Sequence, residues 1–243
     1  MKKILITICA RGGSKGIPGK NIKMLGGRHL IGYSIKHSQL FKKWLEENNY
    51  LVLIELSTDS EDIKKTAEIY GLESSYMRPA FLANDTAGKL DAIKDICITT
   101  EGKNQMTFDY IIDLDVSAPM RSIEDLIKGF SLLISDENCT NLFSVSLANK
   151  NPYFNMVEKS EKGYYVLSKE KNQILSRQKA PLVYEMNASF YFYKRAFFNE
   201  EKLYLFDKAL IYEMPHESFD LDHEIDFMFL EFLIKNDKLS FKL

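Results

Sequence analysis

At 243 residues, 45% hydrophobic and 27% charged, the chain can bury the core of one α/β domain and has an ordinary globular composition. A net charge of -2 argues against a general attraction to nucleic acid or anionic membrane, so any polyanion must be held by a local cluster of cations. Three cysteines without metal-ligand spacing predict reduced thiols, and the absence of a membrane-length apolar run or signal sequence predicts a cytoplasmic protein.

The first predicted element is a buried strand, Ile4 to Ala10, an apolar β-branched run that ends at glycines. The loop behind it holds Gly12, Gly13, Gly16 and Gly19, interleaved with Arg11, Ser14, Lys15 and Lys20. Such a loop brings backbone N–H groups and cations to a phosphate, although a plain glycine-rich turn with solvated basic residues has the same composition. It is neither a Walker A loop, because Gly19-Lys20 is followed by Asn21, nor a G-x-G-x-x-G fingerprint, because Gly12 and Gly13 are adjacent.

An amphipathic helix is predicted from His29 to about Glu47, then a strand over Leu51–Leu56 and a helix ending near Tyr70, before Gly71. Thr58 with Glu61 has capping-box spacing, and Asp85 or Thr86 is placed to cap the next helix, which runs through Ile93 and Ile96. A strand at Asp109–Asp115 places Asp113 and Asp115 on one face, where two carboxylates can share a metal or a polar ligand. Ser122 with Asp125 forms a second capping box, opening a helix to about Ser135. Asn141–Ala148 is predicted to be a strand, and Phe154–Val157 and Tyr164–Leu167 flank a Lys162-Gly163 turn as a hairpin. An aromatic-rich strand through Tyr191 and a C-terminal helix through Phe227 and Leu230 complete the pattern. Strand–helix alternation predicts an α/β fold with a mostly parallel sheet and right-handed crossovers. No repeat or linker divides residues 1–243, so one domain is expected, with 150–186 as an inserted, β-rich excursion.

Ala10 to Asn21, read as Ala-Arg-Gly-Gly-Ser-Lys-Gly-Ile-Pro-Gly-Lys-Asn, resembles the signature loop of the acylneuraminate cytidylyltransferases, the CMP-sialic acid synthetases. The likeness continues in order through Arg78-Pro79, Leu114 to Arg121, Asn151-Pro152, Arg177-Gln178, Asn187 to Tyr191, and Asp220-Leu221-Asp222. It implies a Rossmann-like nucleotidyltransferase sheet flanked by helices, and a homodimer built through the 150–186 excursion. It further implies that Arg11, Ser14, Lys20, Asn21 and Arg78 bind the nucleotide, and that Asp115, Arg177, Asn187 and Tyr191 line the sugar site. A bidentate arginine suits the carboxylate of a 2-keto sugar acid, which makes Arg177 the expected partner of that group. Asp220 and Asp222 are the implied Mg²⁺ ligands, although Asp222 alone also reads as an N-cap.

The expected reaction is therefore attack by the 2-hydroxyl of a nine-carbon nonulosonic acid on CTP, giving a CMP-sugar and pyrophosphate, with Arg11, Lys20 and Asp220 as the catalytic groups. Asp115 replaces a glutamine that the family often carries, and Phe154 a basic residue. Both changes imply a legionaminic- or pseudaminic-type sugar over N-acetylneuraminate, and the wording of Asn151 to Asn155 and Glu185 to Ser189 most resembles the legionaminate-using members. Alternatives within the class are N-acetylneuraminate, pseudaminate and an octulosonate. A different class, a GT-A glycosyltransferase, would use Asp113-x-Asp115 as its metal motif; a non-catalytic nucleotide-binding subunit is a further alternative.

Overall fold

A computed structural model describes residues 1–13, 16–84, 86–169, 176–200 and 202–243, and of Arg177 the backbone alone. Strand β1 (Lys2–Cys9) is followed by the glycine loop and a two-strand ribbon, β2 (Met24–Leu25) and β3 (Arg28–His29). Next come α1 (Leu30–Glu47), β4 (Tyr50–Ser57), α2 (Glu61–Ile69), α3 (Lys89–Asn104), β5 (Tyr110–Leu114), α4 (Ile123–Ser135) and β6 (Asn141–Leu147). The hairpin β7 (Val157–Lys159) and β8 (Tyr165–Leu167), then β9 (Tyr184–Lys194), β10 (Ala209–Glu213) and α5 (Glu224–Lys235), complete the chain.

The main sheet has the order β10-β6-β9-β5-β1-β4, with β4, β1 and β5 parallel, β6 and β10 parallel, and β9 antiparallel between β5 and β6. Alternate residues of β1 supply opposite faces. Ile4 and Ile6 pack with Phe41 and Phe130, while Leu5 packs with Ile93, Cys97 and Phe198. Apolar contact on both faces is why the first strand reads as an unbroken apolar run rather than an alternating one. From β1 the chain crosses through α1 to β4 on one side, then through α2 and α3 to β5 on the other. That reversal opens a crevice at the C-terminal ends of β1 and β5, where α/β sheets hold their ligands.

Three helix starts differ from expectation. Helix α2 begins at Glu61, so its third N–H belongs to Ile63 and the cap is Ser60, whose Oγ accepts from Ile63 N at 3.4 Å; Thr58 instead accepts from Ser60 N. Helix α3 begins after Gly88 with no side-chain cap among the described residues, and Thr86 bonds Asn84 Oδ1; Asp85 lies outside the described residues. The cap of α5 is His223 rather than Asp222, and Asp226 Oδ2 accepts from both His223 N and Asp222 N. The Ser122–Asp125 capping box is present. The expected hairpin forms around Gly163, but its first strand starts at Val157, because the carbonyl of Asn151 collects the N–H groups of Phe154, Asn155 and Met156 in a turn. Cys97 and Cys139 are buried, Cys9 is partly so, and none is disulfide-bonded. No helix among the described residues is long and apolar enough to cross a membrane.

Candidate active site

A cleft of about 290 Å³ opens at the switch point, lined by Arg11, Lys20, Asn21, Arg78, Lys89 and Asp115 among others. Its sequence-remote halves meet directly. Lys20 Nζ donates to the carbonyl of Leu221 at 2.9 Å and lies 3.5 Å from Asp222 Oδ1, joining the amino-terminal loop to the acidic segment across 201 residues. Gly16 makes the approach possible: a Cβ built there would fall 2.3 Å from the carbonyl oxygen of Asp222. The acidic segment is pinned from the other side by Leu221 N bonding Ser117 O, and by Ser218 Oγ bonding Met120 O.

Asp220 points inward and Asp222 outward. Asp220 Oδ1 is buried without a hydrogen-bond partner among the described residues. Burial pushes its carboxyl above the usual range, with the neighbouring charges of Asp115 and Asp222 adding to the rise, while a Ser117 hydrogen bond and Lys20 oppose it. Asp222, freed from capping by His223, is two-thirds exposed beside Lys20. An orphaned buried oxygen amid mutually repelling carboxylates is a place where a hard divalent cation fits. No group of three or more His, Cys, Asp or Glu side chains among the described residues is arranged to hold a metal. Mg²⁺, which needs one or two carboxylates when a polyphosphate supplies other ligands, does not require one.

On the β4 side, Arg78 is 8% exposed and hooked over the end of the strand, with Nε bonding Ser57 Oγ at 2.9 Å and Nη2 bonding Ser57 O at 2.8 Å. Arg11 Nη1 reaches the carbonyl of Asn84 at 3.2 Å. Asn21 is buried and donates to the carbonyl of Arg11, so it shapes the loop from within. The N–H of Gly12 is taken by the Asp59 carboxylate at 2.8 Å, a tie from the β4–α2 loop that no motif indicated.

The β5 side holds a residue that sequence reading passed over. Lys89 Nζ lies 2.8 Å from Asp113 Oδ2 and 2.5 Å from Asp115 Oδ2, and sits 4.5 Å from the centre of the Tyr191 ring. Burial opposes its charge, but the two carboxylates outweigh that and hold its pKa well above the ordinary lysine value; Asp115 is correspondingly lowered despite its own burial. Burial pushes the Tyr191 hydroxyl up to about 12. Asp113 and Asp115 do share one ligand, as their spacing predicted, but that ligand is the protein's own ammonium. The glycosyltransferase reading, which needed a metal there, loses its motif.

Beneath them Arg121 is completely buried, with Nη1 bonding the carbonyls of Ala118 and Ser189, and Nη2 bonding Ser34 Oγ and the carbonyl of Asp115. It fastens α1, the loop after β5 and β9 into one floor. Asn187, expected at the sugar, is absent from the cleft lining: Ser144 donates to its Oδ1 and its Nδ2 donates to Ser146, bracing the irregular pairing of β6 with β9. The next residue, Ala188, has φ 59°, a left-handed conformation favouring glycine. Arg177 opens a short helical turn, Arg177–Lys179, and its side chain, like all of Ser14, lies outside the described residues.

A crevice at the switch point of an α/β sheet is where such folds bind their ligands, and the family match makes this one a nucleotidyltransferase. The chain belongs to the cytidylyltransferase family, whose profile matches residues 5–240. It is 42% identical to the post-translational flagellin modification protein B of Campylobacter coli, over 100% of this chain and 99% of that one. It is 40% identical to the CMP-N,N'-diacetyllegionaminic acid synthase of Campylobacter jejuni, over 99% and 98% of the two chains. In fold it is similar to a CMP:2-keto-3-deoxy-manno-octonic acid synthetase solved with CTP, with a TM-score of 0.69 at 15% identity, over 97% of this chain and 100% of the other.

Proposed function

We propose that the protein transfers the cytidylyl group of CTP to the anomeric 2-hydroxyl of a nonulosonic acid of the legionaminic type. The hydroxyl oxygen bonds to the α-phosphorus, the bond from that phosphorus to the bridging oxygen breaks, pyrophosphate leaves, and the hydroxyl proton is lost. The observation that supports the reading is the contact of Lys20, which lines the cleft, with Leu221 and Asp222, which brings the acidic segment against the cationic loop. Phosphoryl-type transfer asks chiefly for positioning and charge stabilisation. Arg11 and Lys20 would hold the triphosphate and favour the leaving pyrophosphate, with Ser14, Asn21 and Arg78 fixing the nucleotide. Asp220 and Asp222 would hold Mg²⁺, which when bound screens the phosphoryl charge and acidifies the attacking hydroxyl. Asp115, which lines the cleft, and Tyr191 behind Lys89 would form the acceptor side, and Arg177 would grip the acceptor's carboxylate.

Within Campylobacter jejuni the identity is 40% to the legionaminic enzyme and 27% to the pseudaminic acid cytidylyltransferase, which supports a legionaminic acid, although a Legionella pneumophila legionaminic enzyme is also 27% identical. The exposed apolar side chains of the excursion, Val157, Tyr164 and Tyr165, support a homodimer joined there. The reaction is proposed to run in the cytoplasm on CTP.

The test is pyrophosphate release from CTP over a panel of nonulosonic and octulosonic acids. Turnover greatest with a diacetyllegionaminic acid is expected; pyrophosphate release with an octulosonate alone, or with no sugar acid, overturns the assignment. Asp220→Asn should lower kcat by roughly a hundredfold or more, the scale of losing an electrostatic stabiliser. Near-native turnover of that variant at limiting Mg²⁺ would sink the metal role.

A further inference from the structure

Lys89 occupies a place that local preference disfavours. It is the first residue of α3, where the helix dipole repels a cation, and no side chain caps that end among the described residues. What holds it there is tertiary: Asp113 and Asp115 from the end of β5, and the face of Tyr191 from β9. Neutralising the wholly buried Asp113 is a structural task, but it does not explain the arrangement. A buried ion pair adds little stability over an apolar pair of similar volume, and the middle of a buried sheet is the natural place for the latter. Nor does it explain why Lys89 remains about a third exposed and lines the cleft.

The cluster has two carboxylates and one ammonium, so it lacks the net positive charge that would draw a triphosphate or a sugar carboxylate. It offers instead a donor beside acceptors. An ammonium has three N–H groups; Asp115 Oδ2 accepts one, and Asp113 Oδ2 lies at ion-pair distance without a hydrogen bond among the described residues, so donor capacity remains. Asp115 Oδ1 already accepts from Ser117 N and Oγ, each at 2.7 Å, which fixes the carboxylate in place. Adjacent rigid donors and acceptors, flanked by an aromatic face, suit hydroxyl and acylamino groups, each of which both donates and accepts. Lys89 enters the cleft from the β5 side, whereas Arg78, which lines the same cleft, is fixed at the end of β4.

We propose that Lys89 is a specificity-determining residue for the acceptor. Held by Asp113, Asp115 and Tyr191, it binds a neutral hydroxyl or acylamino group of the sugar acid and takes no part in holding CTP. This rests on the cytidylyl-transfer reading of the same cleft. The test is steady-state kinetics of Lys89→Arg, which keeps a cation for Asp113 but moves its donors, beside Lys89→Met and the wild type. The Arg variant should raise the acceptor KM by about tenfold or more, the scale of one charge-assisted hydrogen bond, while the KM for CTP stays unchanged. Acceptor analogues, each lacking a single hydroxyl or acylamino group, should include one for which wild type and variant have equal KM. A purely structural role for Lys89 gives no such analogue. An unchanged acceptor KM in Lys89→Arg, or KM values for CTP and acceptor that rise together, overturns the proposal. The wild-type panel tests the reaction and the variant-to-wild-type ratio tests Lys89, so the two readings fail separately. If Lys89→Met does not fold, Lys89→Arg still decides.

Discussion

Gly16→Ala tests the contact on which the site depends. A methyl group at this position would lie 2.3 Å from the carbonyl oxygen of Asp222, and ordinary contact begins near 3.4 Å, so the loop and the acidic segment must part by about 1 Å. Backbone carbonyl oxygen cannot swing aside as a side chain does. Overpacking of this kind costs about 1–3 kcal/mol, part of which is offset because alanine narrows the unfolded ensemble by ~0.4–1 kcal/mol. The melting temperature should therefore fall by only a few degrees, at roughly 2–4 °C per kcal/mol for a chain of this size. Turnover should suffer far more, because a displacement of about 1 Å between groups that hold one substrate costs on the order of a hundredfold in rate. Pyrophosphate release at saturating acceptor and varied CTP measures the loss, and a thermal melt measures the stability. Gly13→Ala is the stability control, since a methyl group there meets nothing within 4 Å among the described residues, and the melt should hold or rise by a few degrees. Wild-type kcat/KM for CTP in a folded Gly16→Ala protein would refute the close approach and the site built on it.

Two further outcomes follow from buried charge. Arg121→Ala leaves the carbonyls of Ala118, Ser189 and Asp115 without this donor in a sealed floor. Each carbonyl keeps another donor, Ser189 Oγ, Asp115 N and Ser34 Oγ respectively, so the loss is of hydrogen bonds from a charged group, at about 1.5–3 kcal/mol each, plus the cavity left by the side chain. The total should reach about 3 kcal/mol or more, and a urea titration giving less than about 1 kcal/mol would contradict it. Stability should also fall on both sides of a mildly acidic plateau. Burial pushes the Asp125 carboxyl up, but hydrogen bonds from His216 and from Ser122 outweigh it and hold the pKa at about 2. Asp125 is 2% exposed, so it contributes about 2.5 kcal/mol above its unfolded pKa of about 4, lost as pH falls through 2. Burial lowers His216 less than Asp125 and the Glu217 carbonyl raise it, so its contribution is full below about pH 6.5 and disappears as pH rises through the raised value. Urea unfolding across pH should show the alkaline decline vanish in His216→Ala; persistence of the decline would assign it elsewhere.

The parts of the fold legible in the sequence are those with strong local signals. Strands β1, β4, β5 and β6 are apolar runs that tolerate contact on both faces, and Ser122-x-x-Asp125 carries its capping geometry in its spacing. Strand β10 escaped notice because Ala209–Glu213 is five residues long with Ile211 partly exposed, and only pairing with β6 makes it a strand. That β9 runs antiparallel between β5 and β6 is likewise invisible to periodicity, which reports faces and not directions. Thr58 and Ser60 illustrate a finer limit: both have side chains able to cap, and which one does so depends on where α2 starts, a matter of one or two residues.

The site divides in the same way. Arg11, Lys20, Asp220 and Asp222 announce themselves as charged residues in a glycine loop and an Asp-x-Asp pair, yet their meeting spans 201 residues and no local pattern implies it. Lys89 gave the opposite signal, since it looks like a surface cation at the edge of a helix, and Arg121, though it closes the family-like segment Leu114 to Arg121, gave no sign of its burial. The available clue for Lys89 was its misplacement, a positive charge at the start of α3 where the dipole opposes it. Asp115 shows why such clues have to be read in pairs. Taken alone, an aspartate in place of glutamine adds a negative charge beside Asp113 and Asp220, and burial of three like charges favours protonation over recognition. Asp115 remains a usable acceptor because Lys89 holds both β5 carboxylates and lowers its pKa. Asp115 and Lys89 therefore act as one unit, and the proposed recognition of the acceptor depends on the pair, not on either residue.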